Sequence, residues 1–518
     1  MQTRLLRLPV LLALTGCAME SSYNAKGESG GDYADAAPQE ADADADTDAD
    51  ADADDTASES EDDYLRLAPA ATDQYVFVAN PDRDTVTRIA VSTLDVQTVE
   101  VGAVPSTVQT TSDFRLAVTL NEAGDSVSVV EAETLKVTTV SVRDNMNQLS
   151  LSPDGAWAMT WYDPNAESLG TTSGVKSYNE VSFVRTDPAK HHAMAVGYSP
   201  AGVRWSEDGK LAVVVSDSSL AIVDLTGETP TSTLVPLTDD PDNAPVAEEV
   251  VLTPRGDFAF VRQRGETELL VVDLAAGDVQ RVAVGADPTD MDVNPDGTAL
   301  AVVARTAREL WSFDVEDPFA PAVVTAFPSD SAYGSLSFAG DGSRALLYTN
   351  AVAIDRLAIW NVRDGTFEER SLVKPVSNVG ISPAGDTAIV FHTKTDADGA
   401  DENEFTGKWA ITLMEVDGYA ENRLLLPAEP TGYSLSDDSR WGFFILDGKS
   451  MIEACSFSSL IPDLITLPSE PAFVGVLPGQ SVAWASQAHD LGRLSFYDPD
   501  AATLDTITGF ELNSDIEH

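Results

Sequence analysis

The sequence predicts an all-β fold: a β-propeller of four-stranded blades, carried behind a disordered acidic tether. Three observations predict it. From Tyr75 onward, apolar and polar residues alternate in short runs, the period of half-buried strands. The runs recur as a unit about 40 to 55 residues long with room for four strands, which is the repeat of a propeller blade. Most units also place a turn of the Ser-Pro-Asp-Gly kind, or a weaker copy of it, at the same point. Proline there supplies a φ near −65°, and glycine ends the turn.

Two segments precede the repeats. In MQTRLLRLPVLLALTGCAMESS, Arg4 and Arg7 lead into a short apolar run, Leu8 to Leu14, too short to span a bilayer. Leu14-Thr15-Gly16-Cys17 follows and resembles the bacterial lipobox. The resemblance implies that residues 1–16 are a lipoprotein signal peptide and that cleavage leaves Cys17 as the new N-terminus. Cys17 would carry a diacylglycerol on sulfur and usually a third acyl chain on its amine. Two or three chains anchor stably, whereas one does not. The expected location is therefore a bacterial cell envelope, reached through the lipid. Ala18, where an aspartate would favour inner-membrane retention, points to the outer membrane, facing the periplasm or the surface. No other stretch is long and apolar enough to cross a membrane.

Residues 17–63 hold the lipidated cysteine and an Ala/Asp-rich run, ADADADTDADADADD at 41 to 55. Almost no large apolar group is present, so the segment cannot offset its ordering entropy and is expected to be disordered. A flexible chain of this length spans about 40 Å root-mean-square, and like charges extend it further. It reads as a spacer. Alternating aspartates without glycine do not match the calcium-loop pattern, so diffuse calcium binding is expected rather than a defined site. The net charge of −54 opposes phosphate backbones, and no nucleic-acid partner is expected. With Cys17 acylated, Cys455 is the remaining thiol, and no intrachain disulfide is expected.

The repeats fill residues 64–518. YVFVAN, SLAIVDL, NQLSLSPDG and VGADPTDMDVNPDG stand in the order strand, strand ending near Asp, then Gly-x-x-Pro, strand and turn. The turn recurs at Ser152-Pro153-Asp154-Gly155 and Asn294-Pro295-Asp296-Gly297, with weaker copies in other units. Gly-x-x-Pro recurs at Gly102, Gly197 and Gly285, where glycine is expected to permit a tight corner. These motifs closely resemble the YVTN-type β-propeller repeat family. The resemblance implies the fold and is nearly silent about function.

Strands following the turns are expected near Tyr75, Arg115, Ala156, Leu211, Phe258, Ala299, Arg344, Thr387, Trp441 and Ser481, which makes ten units. Propellers usually have four to eight blades. Ten units could form one large ring or two propellers, or include incomplete blades. No linker-like composition interrupts Tyr75 to Tyr497, which favours one ring. The terminal run ITGFELNSDIEH, or Tyr64 to Leu67, could complete the first blade and close it.

Two units carry inserts, Asp163 to Asn179 in the third and Thr393 to Lys408 in the eighth, at equivalent places. In a ring of ten these would face each other across the channel mouth. Loops on rigid scaffolds often carry function. Trp161, Tyr162 and Tyr178 border the first insert and could stack on a sugar or a protein. Asp396, Asp398, Asp401 and Glu404 in the second could offer oxygens to calcium, though the glycine comes too early for an EF-type loop. His392 lies close to the second insert, and His489 lies in a later loop between the first and second strands of the repeat. His191 and His192 are adjacent on a strand and must face opposite sides, so they cannot share a metal. No G-x-S-x-G, H-E-x-x-H or phosphate-cradling loop occurs. The expected function is therefore a lipid-anchored, non-catalytic binding or scaffold module for a protein or glycan partner, with no cofactor beyond that diffuse calcium. The alternative is a lyase-, lactonase- or quinoprotein-like propeller enzyme with a metal at the channel mouth.

Overall fold

A computed structural model describes residues 69–510, except 167, 171–173, 241–244, 398, 400, 488 and 490. The signal peptide, Cys17, the Asp-rich run, residues 64–67 and Asp398 lie outside the described residues. The chain forms ten four-stranded antiparallel sheets, each from four consecutive strands. Blades 1 to 10 span residues 70–100, 105–141, 148–195, 200–236, 247–283, 288–326, 335–371, 376–425, 430–466 and 471–508. The second strands begin at Tyr75, Leu116, Trp157, Leu211, Phe258, Ala299, Arg344, Thr387, Trp441 and Ala483, within two residues of the expected starts.

The core is divided among the blades. The buried apolar side chains form ten clusters, and each one joins two consecutive blades. The middle strands are buried on both faces. Leu116–Asn121 is buried throughout, which is why its sequence, LAVTLN, is more apolar than a simple alternation. One cluster packs Leu477, Trp484, Leu494, Phe496 and Phe510 of the last blade on Val76, Ile89 and Val96 of the first. The ring is therefore closed.

Closure differs from the expectation that a remote segment completes blade 1. The innermost strand of blade 1 is Ala70–Ala71, paired locally with Phe77 and Val76. Ile507 and Phe510 do serve closure, but as side chains. The outermost strand of blade 10, Thr503–Thr508, stays with its own blade. The Gln480 side chain donates to the Asp73 carbonyl across the same seam.

Antiparallel connectivity gives the ring two distinct faces. First-to-second and third-to-fourth strand turns emerge on one, here called the turn face. Second-to-third loops and the connections between blades emerge on the other, the insert face. On the turn face, Ser152 Oγ donates to Asp154 (2.6 Å) and accepts from Trp157 N (3.0 Å), with Gly155 at φ +67°. Ser206 and Ser436 repeat the arrangement.

The Gly-x-x-Pro corners work differently from the sequence expectation. The left-handed residue is the one before proline: Val104 (φ 54°), Ser199 (φ 54°) and Asp287 (φ 58°). The glycine is required by close approach instead. A Cβ on Gly197 would lie 2.1 Å from Ser219 Oγ.

Candidate functional site

The two inserts lie on the insert face, between the second and third strands of blades 3 and 8. Four blades lie between them on either side in a ring of ten, so they stand on opposite sides of the channel mouth. Each is held by a buried charge from outside its own blade.

The first insert is held by Glu122, in the second-to-third-strand loop of blade 2. Its carboxylate is buried and accepts Ser168 Oγ (2.6 Å), Leu169 N (2.8 Å) and Gly170 N (3.2 Å). Asn147 accepts Asp163 N (2.8 Å) and donates to the Asp163 carbonyl (2.8 Å), fixing the start of the insert. Asn145 donates to the Gly174 carbonyl (3.0 Å).

The second insert is held by Lys374, in the connection between blades 7 and 8. Its ammonium is buried and donates to the carbonyls of Lys394 (3.1 Å) and Phe405 (3.2 Å) and to the Asp396 carboxylate. The other Asp396 oxygen accepts Gly407 N (2.8 Å). The hydrogen bond from Lys374 holds the Asp396 carboxyl below the usual carboxylate range. Neither Glu122 nor Lys374 was singled out in the sequence, because lone charges in short connections carry no motif.

The calcium candidates within the described residues have different surroundings. Asp396 is paired with the Lys374 ammonium. Asp401 and Glu404 are exposed, and Asn403 is spent in a local turn, accepting Phe405 N (2.8 Å). Among the described residues, no group of three or more His, Cys, Asp or Glu is placed to hold a metal ion.

The aromatic candidates divide. Trp161 lies in the core shared by blades 3 and 4, and the Tyr162 ring in the core between blades 2 and 3, so neither presents a ring to solvent. The Tyr162 hydroxyl does reach outward and accepts Lys176 Nζ (2.7 Å), whose ammonium also sits 4.7 Å from the ring centroid. Tyr178 meets Tyr162 edge-on at 5.4 Å and stacks on Tyr198 at 6.0 Å and 20°. Tyr178 and Tyr198 are 38% and 64% exposed, and neighbouring Val175 is 85% exposed. Tyr198 was missed in the sequence. It is the second residue of a Gly-x-x-Pro corner, and that corner brings it beside the insert: Ser199 N donates to the Tyr178 carbonyl (2.6 Å).

The histidines do not converge. His392 is completely buried at the end of the second strand of blade 8, between Thr412 Oγ1 (2.8 Å) and the Pro375 carbonyl (3.3 Å). Burial depresses its pKa to about 4, so it is a neutral, internal side chain and not part of a channel-mouth set. His489 lies in the second-to-third-strand loop of blade 10, where Nδ1 accepts Leu491 N (3.1 Å). His191 and His192 have different neighbours, Ser182 Oγ (3.0 Å) and the Trp157 ring (5.8 Å), as alternation along a strand requires. Cys455 is a buried free thiol in the core between blades 8 and 9.

No protein-family model matches the chain. No curated protein matches it either. Solved structures do. The chain is similar to a eukaryotic initiation factor at 11% identity, covering 76% of this chain and 96% of that one, with a TM-score of 0.53. It is also similar to dihydro-heme d1 dehydrogenase NirN in complex with DHE (16% identity, 69% and 74% coverage, TM-score 0.44). A third is the β-propeller domain of Cps50 (Swd1) from Myceliophteria thermophila (15% identity, 56% and 92% coverage, TM-score 0.35). At these identities the likeness is one of fold. The class is that of a β-propeller, here with ten blades.

Proposed function

We propose that this protein is a lipid-anchored β-propeller of a bacterial cell envelope, with YVTN-type repeats, that acts as a binding or scaffold module. Its insert face engages a protein or glycan partner. One observation carries the reading: two inserts on opposite sides of the mouth, each pinned by its own buried charge, with exposed Tyr178 in one of them stacked on exposed Tyr198 beside it. Pinned loops lose little conformational freedom on binding, and tyrosine offers a large contact at low entropic cost. The Leu14-Thr15-Gly16-Cys17 sequence supports the anchor, and the acidic run supports a spacer between anchor and ring.

The test is in-cell crosslinking of the natively anchored protein, with partners identified by mass spectrometry, for the wild type and for Tyr178→Ala/Tyr198→Ala. A partner recovered at near-equal amounts and lost in the double variant supports the reading. A partner crosslinked only to other surfaces overturns the assignment of the face. In the same cells, Cys17→Ser should release the protein in soluble form, and membrane fractionation of that variant would overturn the anchor.

A further inference from the structure

A second site lies on the opposite, turn face, and it stands independently of the reading above. An open cleft of about 360 Å³ lies over blade 9, between its neighbours. Trp441 and Phe457 supply its apolar part. Asp386 of blade 8 stands on one side and Asp500 of blade 10 on the other, with Arg440 and Ser458 between them.

The charge in the cleft is not balanced. Arg440 is clamped by Asp500 through two bonds (2.9 and 2.7 Å), by Asp438 (2.5 Å) and by Ser481 Oγ (2.8 Å), so its guanidinium is already spent. Asp386 has no ion-pair partner among the described residues. One of its oxygens accepts Ser382 Oγ (2.7 Å), and the carboxylate is exposed. Asp438 and Asp500 thus share the one cation, while Asp386 lines the same cleft as the half-buried Trp441 indole with no cation of its own among the described residues. An aromatic ring next to uncompensated carboxylate is a recognition site for an organic cation, through the ring quadrupole and charge-assisted hydrogen bonds. A chain carrying −54 adds a long-range pull on the same sign of ligand.

We propose that this cleft receives the guanidinium or ammonium side chain of a basic partner protein. The probe is Nα-acetyl-arginine methylamide, titrated calorimetrically into the full chain in detergent. Saturable binding with a Kd on the order of 1 mM is expected for one side chain in an open cleft. Asp386→Asn should weaken it about tenfold, the loss of one charge-assisted contact. Ser458→Trp, a change at an exposed turn residue, fills the cleft and should abolish it. The uncharged citrulline analogue should not bind. Free L-arginine, whose own carboxylate meets the acidic walls, should bind more weakly than the capped probe. Equal binding by the citrulline analogue, or unchanged binding in both variants, overturns the cation site. Tighter binding of free L-arginine overturns the protein-borne source.

Discussion

Single buried charges are the residues on which this molecule turns. Glu122 and Lys374 are each compensated by several hydrogen bonds, whereas Glu453 is not. It lies in the third strand of blade 9, Met451–Ser456, on the side shared with Met451 and Cys455, which pack against blade 8. It makes no hydrogen bond or ion pair among the described residues, and burial raises its pKa from 4.5 to about 7. The unfolded chain releases this proton near 4.5 and the folded chain only near 7. Between those values the folded state holds more protons, so stability falls as pH rises through that window. Glu453→Gln should remove the slope. The unfolding free-energy gap between variant and wild type should change by on the order of 1–2 kcal/mol from pH 5 to pH 8, allowing for solvent screening at a partly accessible group. A constant gap would show that Glu453 is solvated. His392 acts in the opposite sense: burial lowers its pKa from 6.5 to about 4, so its contribution is lost as pH falls through that range. It is present in both proteins and cancels in the comparison.

At the scale of elements, the second insert is an independent unit tied at one point. Lys374→Met keeps the side chain's bulk but removes the ammonium that gathers Lys394, Asp396 and Phe405. The expected cost is about 2–3 kcal/mol of local stability, or a roughly thirty- to 150-fold larger opened population. Hydrogen exchange at Gly407, whose N–H is held by Asp396, reads it directly. Protection equal to wild type would mean that the insert is held elsewhere. The place of both inserts was legible in the sequence because the repeat is regular, and an interruption of a regular repeat has a definite address. What pins them was not legible, because Glu122 and Lys374 act across blade boundaries that no local pattern encodes. Trp161 and Tyr178 sit near the same loop in sequence, yet one is core and the other surface. Trp161 falls within the second strand of blade 3, which is buried on both faces, and Tyr178 falls in the insert, outside any strand.

For the whole molecule, the seam between blades 10 and 1 is held by side chains and not by a shared strand. Phe510 is buried there, close against Gly492. Phe510→Ala should cost about 3–5 kcal/mol, as for other large aromatic truncations in cores. It should also raise hydrogen exchange first in blades 1 and 10, with blades 5 and 6 little changed. Uniform loosening would show that the ring opens as one cooperative body and not at its seam. Blade number followed from repeat counting, since each blade is one contiguous stretch. The seam did not, because its residues are the first and last of the described chain and no repeat relates them.

The same local completion of blade 1 sets an orientation. Ala70–Ala71 runs antiparallel to Tyr75–Asn80, so the chain arrives at the ring from the insert face, and Thr503–Thr508 leaves towards that face as well. On the lipid anchor proposed above, a tether drawn taut from Cys17 would hold the ring with its inserts towards the lipid and the Arg440 cleft outward. The two faces would meet different populations of molecules, one confined to the membrane's margin and the other free to arrive from the bulk.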